Sequence, residues 1–257
     1  MINCTGVIFL IGKNNIQMLS ITMNTNGMIN TIHPTLIWNE EDVVLIDTGY
    51  PGQLNEFRNC FEQVGVPFEK LNKILITHQD IDHIGSLSSI VEESTNQIEV
   101  FASEIEKPYI QGDKLLIKIT PESIERAIAS LPAEASDEFK NAFKNRLQSP
   151  PKGKVNHVLI PGTELPICGG ITVIDTAGHT PGHISFYHKE SKTLIAGDAL
   201  MIENGQLNPS NPQYTFDIDQ SIKSVEALVD LDIEKIICYH GGLFEGNIKE
   251  RLGEIIK

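Results

Sequence analysis

Residues 77–83 read Thr77-His78-Gln79-Asp80-Ile81-Asp82-His83. Two imidazoles and two carboxylates stand within this one short stretch. Both side-chain types are ligands that zinc, manganese and iron accept. Directly before them Ile74-Leu75-Ile76 is wholly apolar, which predicts a strand buried on both faces. A loop that leaves a rigid strand can aim several ligands at one point. In a chain of this composition the spaced pattern H-x-D-x-D-H is expected by chance on the order of 10⁻³ times or fewer, which sets it above an ordinary solvated turn.

Working outward, three more places repeat the arrangement. Thr176-Ala177-Gly178-His179-Thr180-Pro181-Gly182-His183 follows a predicted strand at 171–174. Ala196-Gly197-Asp198 follows one at 193–195, and Tyr239-His240-Gly241-Gly242 follows one at 236–238. Each time a His or Asp stands at a strand end beside glycine, whose missing side chain lets backbone approach closely. Asp47-Thr48-Gly49 closes a further apolar run at 43–46.

As a set, these segments resemble the metallo-β-lactamase-fold superfamily, in particular its lactonase and glyoxalase II-like branch. The family pattern is H-x-H-x-D-H, then a separate His, an Asp and a final His. This chain supplies His78, Asp82 and His83, then His179, Asp198 and His240, in that order, and the likeness runs from about residue 30 to 242. The resemblance implies an α/β fold, an αββα sandwich of two mixed sheets flanked by helices, with metals at one edge. It also implies two divalent metal ions, zinc in the first instance. His78 and His179 would hold the first; Asp82, His83 and His240 the second; Asp198 would bridge them. Asp82 and Asp198 would be the catalytic carboxylates around a metal-bridging hydroxide, since bound metals lower the pKa of water. The implied reaction cleaves a small ester or lactone. A glyoxalase II-type thioesterase is the alternative on the same fold. An iron-dependent oxidoreductase acting on sulfur compounds or oxygen is the alternative from another class.

The chain departs from the family at Asp80, which stands where the second His is expected. With two divalent metals, Asp82, Asp198 and a hydroxide leave one net positive charge, and a ligating Asp80 cancels it. That weakens the Lewis acid and shifts preference toward manganese or iron. The lactonase branch also carries a tyrosine three residues past the bridging Asp, where this chain has Met201. Tyr109 and Tyr214 are the candidates to supply a phenol. His33, in Asn30-Thr31-Ile32-His33-Pro34, is a candidate to orient substrate. His183 reads as scaffolding of its loop.

Composition bounds the partners. The 257 residues carry 20 Lys and Arg against 34 Asp and Glu, a net charge of −14. A net anion is repelled by phosphate, which argues against nucleic-acid and anionic-membrane partners; a small-molecule substrate is what the resemblance implies. No apolar run approaches the roughly 18 residues of a membrane span, and no signal-peptide pattern is visible; a cytoplasmic location is the expectation. Cys4, Cys60, Cys168 and Cys238 are scattered, which suits free thiols better than a disulfide framework.

Length and pattern suit one domain spanning 1–257 with a helical insertion at about 104–152. Strands are predicted at 7–11, 16–21, 35–38, 43–46, 74–76, 155–160, 171–174, 184–188, 193–196 and 235–238. Helices are predicted at 52–64, 217–230 and 244–256. Within the insertion Thr120-Pro121 and Ser136-Asp137-Glu138 are helix starts. The Phe139, Phe143 and Leu147 stripe reads as packing, with a homodimer contact left open.

Overall fold

The alternation of Val43-Val44-Leu45-Ile46 decides the layering, because successive strand side chains face opposite ways. Val43 and Leu45 enter one core cluster and Val44 and Ile46 another. The structure, a computed structural model, describes residues 8–11, 14–25, 28–132 and 135–257. Cys4, Val7 and the Gly12-Lys13 part of the first predicted turn lie outside the described residues.

Strands β1 (Ile8–Ile11), β2 (Asn14–Met18), β3 (Ile21–Thr25), β4 (Met28–Ile32), β5 (Thr35–Trp38) and β6 (Val43–Ile46) lead to helix α1 (Leu54–Val64). β7 (Lys73–Leu75) carries the chain into two short helices, α2 (Ile81–Ile84) and α3 (Leu87–Glu92), and on to β8 (Glu99–Ser103). α4 (Lys107–Ile110), α5 (Pro121–Ala129) and α6 (Asp137–Leu147) precede β9 (His157–Leu159). Next come β10 (Glu164–Leu165), β11 (Ile171–Asp175), β12 (Ile184–His188), β13 (Thr193–Gly197), β14 (Leu200–Glu203) and β15 (Gln206–Pro209). The chain ends with α7 (Ile218–Glu226), β16 (Lys235–Cys238), β17 (Gly242–Glu245) and α8 (Ile248–Ile255).

Two mixed sheets result. One has seven strands in the order β1-β2-β5-β6-β7-β8-β9, the other six in the order β10-β11-β12-β13-β16-β17. Ile37, Ile46 and Leu75 of the first sheet meet Val173, Phe186, Ile195 and Ile237 of the second. The first sheet's outer face is covered by Phe57 and Phe61 of α1 and by Ile84, Leu87 and Ile90. The second sheet's outer face is covered by Val225 of α7 and by Ile248 and Leu252 of α8. This is the αββα sandwich. Each fully buried Ile, Leu or Phe stabilises it by about 1.5–3 kcal/mol against leaving the side chain in water.

Several local readings change. The strand expected at 16–21 breaks after Met18, because Leu19 N–H bonds Pro34 O at 2.8 Å and the chain leaves for a separate β3–β4 ribbon. The helix expected from 244 begins at Ile248, because Gly242–Glu245 pairs antiparallel with β16. Cys60 is disulfide-bonded, against the expectation of free thiols, while Cys168 and Cys238 are free and buried. Separation along the chain says little about separation in space. In the 104–152 segment, Ile110 and Leu116 join the core. α5 opens on a Thr120–Ser123 capping box and α6 on a Ser136 cap, as those residues predict. α6 buries no residue, and Phe139 is 54% exposed, so the expected stripe packs only in part. Among the described residues no helix is long and apolar enough to cross a membrane.

Candidate metal centre

The strand ends converge at one edge of the sandwich. β7 hands over to Thr77–Asp80, and α2 starts at Ile81, so Asp82 and His83 lie in its first turn. His179 sits in the connection from β11 to β12. Asp198 follows β13, and His240 follows β16, where it bridges to Ile32 across the strands. β13 and β16 run parallel, so Asp198, one residue past β13, and His240, two past β16, emerge at the same end.

Two groups of ligand atoms form there, with all atoms of a group within 4.8 Å of one another. One comprises His78, Asp80, His179 and Asp198; the other Asp82, His83 and His240. Asp198 reaches both. Its Oδ2 lies 3.3 Å from His179 Nε2 and 3.5 Å from His240 Nε2, and its Oδ1 lies 3.3 Å from His83 Nε2. In the first group Asp80 Oδ2 is 3.3 Å from His78 Nε2 and 3.1 Å from His179 Nε2. In the second, Asp82 Oδ2 is 3.2 Å from His240 Nε2.

Outer hydrogen bonds turn the Nε2 atoms inward. Buried Asp47 accepts from Thr77 N–H at 2.9 Å, from Thr77 Oγ1 at 2.8 Å and from His83 Nδ1 at 2.8 Å. Thr77 Oγ1 has given its proton to Asp47, so at 3.0 Å it accepts from His78 Nδ1. Thr215 Oγ1 donates to Asn211 O, which leaves Thr215 to accept from Ser210 and Ser210 to accept from His179 Nδ1, 2.8 Å away. With Nδ1 occupied as a donor in all three rings, Nε2 is the atom left for the centre. His183 lies behind it. Its Nδ1 meets Thr176 Oγ1 at 2.8 Å, and its Nε2 accepts from Asp198 N–H at 3.0 Å.

Three buried atoms, His78 Nε2, His83 Nε2 and Asp198 Oδ1, make no hydrogen bond. Buried polar atoms normally find a partner, and a leftover set of two imidazole nitrogens and a carboxylate oxygen fits a divalent metal. The charges are uneven. Burial and the His83 imidazole hold His78 down at about 4. Burial pushes His240 down too, but the Asp198 and Asp82 carboxylates overcome it and raise His240 to about 10. Burial pushes the Asp80 carboxyl up, yet His78, His179 and Lys118 outweigh this and hold it well below its usual range.

A cavity of about 470 Å³ opens on these groups. It is lined by Asp80, Asp82, His179, Asp198 and His240, and also by Asn30, Tyr50, Lys118, Met201, Ser210, Asn211 and Tyr214. His78 and His83 are fully buried and do not line the cavity, and the two candidates for substrate contact, His33 and Tyr109, are absent from the lining too. His33 Nδ1 faces Leu19 O at 3.1 Å and Ser20 Oγ at 3.2 Å, and its backbone N–H bonds Tyr239 O, which places it behind the second group. Tyr109 packs against the first sheet's core cluster, with Lys114 over its ring. Tyr50 and Lys118 take their places and escaped the sequence reading. Tyr50 directly follows the Asp47-Thr48-Gly49 turn, a signal that could have found it. Lys118 carries no such signal, because only the fold brings 118 beside 80.

The family profile described as the metallo-beta-lactamase superfamily matches residues 31–240. The chain belongs to that superfamily. Among its superfamily relatives, the Bacillus subtilis protein named "Probable metallo-hydrolase YybB" is 26% identical over 82% of this chain and 80% of its own length. The Haemophilus influenzae hydroxyacylglutathione hydrolase GloC is 25% identical over 65% of each chain. A metallo-beta-lactamase family protein from Thermus thermophilus, TTHA1429, superposes with a TM-score of 0.66 at 23% identity, covering 94% of this chain and 78% of that one. At that identity the last likeness speaks for the fold alone.

Proposed function

We propose that this metallo-beta-lactamase superfamily member is a divalent-metal-dependent hydrolase of a small ester or lactone. The observation that carries the reading is the unbonded trio His78 Nε2, His83 Nε2 and Asp198 Oδ1; Asp198 lines the cavity, and the two buried imidazoles stand directly behind it. His78, Asp80 and His179 would hold one metal, Asp82, His83 and His240 the other, with Asp198 between them. Zinc suits this nitrogen and oxygen set. A divalent metal there lowers the pKa of bound water and polarises a carbonyl.

The chain's own groups set up the rest. Asp198 and Asp82 are held ionised by the histidines around them, against the opposing push of burial. They fix the charge of the cavity floor. Tyr50 supplies the phenol that Met201 lacks. Asn30 Nδ2 donates to Tyr50 Oη at 2.8 Å, so the phenol proton stays free to meet a substrate oxygen. Burial and the nearby Asp82 and Asp198 carboxylates raise its pKa, which keeps that proton in place at neutral pH. The volume suits a small molecule, and the net charge of −14 speaks against nucleic acid as substrate.

The similarity to GloC favours one second reading, a thioesterase using the same floor. Asp80 argues for iron chemistry through its charge wherever it ligates a metal, while in this structure it forms an ion pair with Lys118. The test is direct. Purified protein is assayed for bound metal and then for turnover of lactone, simple ester, thioester, β-lactam and phosphodiester panels. Ester or lactone hydrolysis that a chelator abolishes and zinc restores is expected. Tyr50→Phe should lower kcat by about a hundredfold with little change in KM, the size of one proton donor. Oxygen consumption by an iron-loaded protein without hydrolysis of any panel member overturns the reading.

A further inference from the structure

We propose that the Lys118 ammonium is the resident cation of the first metal position. The chain then binds one divalent metal tightly at Asp82, His83 and His240, and a second only by displacing Lys118. The inference rests on the metal-dependent reading above.

Lys118 Nζ forms an ion pair with Asp80 Oδ2 and stands 2.7 Å from His179 Nε2. Those are two of the four ligand atoms of the first group. His179 Nδ1 is committed to Ser210 at 2.8 Å, so the ammonium donates to the Nε2 lone pair that a metal would use. A compact cation with three donors can substitute for a metal electrostatically, although it accepts no electron pair. In the second group the carboxylate partners are histidines alone: Asp82 meets His240 at 3.2 Å and His83 at 3.9 Å. Among the described residues no Lys or Arg forms an ion pair with Asp82 or Asp198.

The lysine is also held from behind. Ile117 N–H, one residue before it, donates to Gln79 Oε1 at 2.7 Å. Gln79 lies between His78 and Asp80, and its Nε2 and backbone N–H donate to Glu106 Oε2 at 2.8 and 3.0 Å. The other Glu106 oxygen accepts from Gly182 N–H, three residues past His179, at 2.8 Å. Gln79 and Glu106 are fully buried. The segment that carries Lys118 is thus joined by buried polar groups to both loops that carry first-group ligands. The Lys118 side chain is itself 30% exposed, so a displaced ammonium has a way out to water along its flexible stem.

The charge account changes accordingly. Asp80 alone would neutralise a two-metal centre, and Lys118 returns the lost positive charge without a metal. An incoming dication meets a cation already bonded to two of its ligands, and the two repel unless the lysine swings away.

Zinc titration of metal-depleted protein against a competing chelator tests this, with wild type, Lys118→Met, Lys118→Arg and His240→Ala compared. Wild type should bind zinc in two steps, the second weaker by about tenfold or more. Lys118→Met should strengthen the weak step by about tenfold and leave the tight step alone. Lys118→Arg keeps the cation and should keep the step weak. His240→Ala should lose the tight step and retain the weak one. Two equal steps in wild type, or a weak step unchanged or lost in Lys118→Met, overturn the role of the lysine while leaving the metal centre standing. No zinc bound by any of the four overturns the metal centre and this inference together. Circular dichroism checks each fold, and Lys118→Gln replaces the Met variant if that one does not fold.

Discussion

Asp47 has a φ of 63°, in the left-handed region that Asp tolerates better than most residues. That turn is where a buried carboxylate reaches Thr77 and His83 at once. Removing it in Asp47→Ala frees the His83 ring and the hydroxyl that steadies His78. Zinc affinity should fall by roughly 10–100-fold, the usual cost of losing a group that orients ligands. Chelator competition measures it, and unchanged affinity would count against the orienting role. A second prediction concerns protons. His240 has its pKa raised to about 10, and His83 is held well above its usual value by Asp198 and Asp47 against the push of burial. At pH 7 both lie below their folded pKa values and carry protons that a metal must replace. His78, at about 4, is already neutral and has none to give. Zinc uptake at pH 7 should therefore release protons, and affinity should rise with pH up to about 10. Calorimetry in buffers of different ionisation enthalpy reads this directly; uptake with no release would contradict the assignment.

At the scale of elements, the turn before α1 and the turn after α2 are zipped together. Thr48 N–H donates to His83 O at 2.7 Å, Gly85 N–H to Gly49 O at 2.8 Å, and Ser86 Oγ to Tyr50 O at 2.6 Å. Gly85 has an ordinary helical φ, yet a Cβ there would stand 2.3 Å from Pro51 N and 2.4 Å from Tyr50 C. Those are backbone atoms that cannot rotate away. Gly85→Ala should cost about 1–3 kcal/mol in denaturant unfolding, the range for overpacking, and a neutral result would mean the two turns separate freely. The His and Asp groups that gather at the sheet edge were legible in the sequence because their segments leave short apolar strands and the strands keep their place in the sheets. β5, β12 and β16 match the predicted spans residue for residue. β17 was not legible: Gly242-Leu243-Phe244-Glu245 is too short for periodicity to separate strand from helix, and only its pairing with β16 decides. Tyr50 and Lys118 were hidden for another reason. Their roles depend on long-range contacts, Asn30 with Tyr50 and Asp80 with Lys118, which leave no local pattern.

At the scale of the molecule, the seven-stranded sheet supplies His78, Asp80, Asp82 and His83, and the six-stranded sheet supplies His179, Asp198 and His240. Any ion bound by residues from both halves is a cross-link that the unfolded chain cannot make. It therefore stabilises the native state by mass action, in proportion to how far its concentration exceeds the dissociation constant. Zinc at about a hundredfold excess over that constant should contribute about 2.7 kcal/mol. For a chain of this length that corresponds to an unfolding midpoint raised by about 5–10 °C, and a chelator should reverse the rise. Identical midpoints with and without zinc would contradict ligation across the sheets. The same coupling makes heat resistance a ranking of ions. Zinc, manganese and iron can be ordered by melting temperature alone, before any substrate has been found.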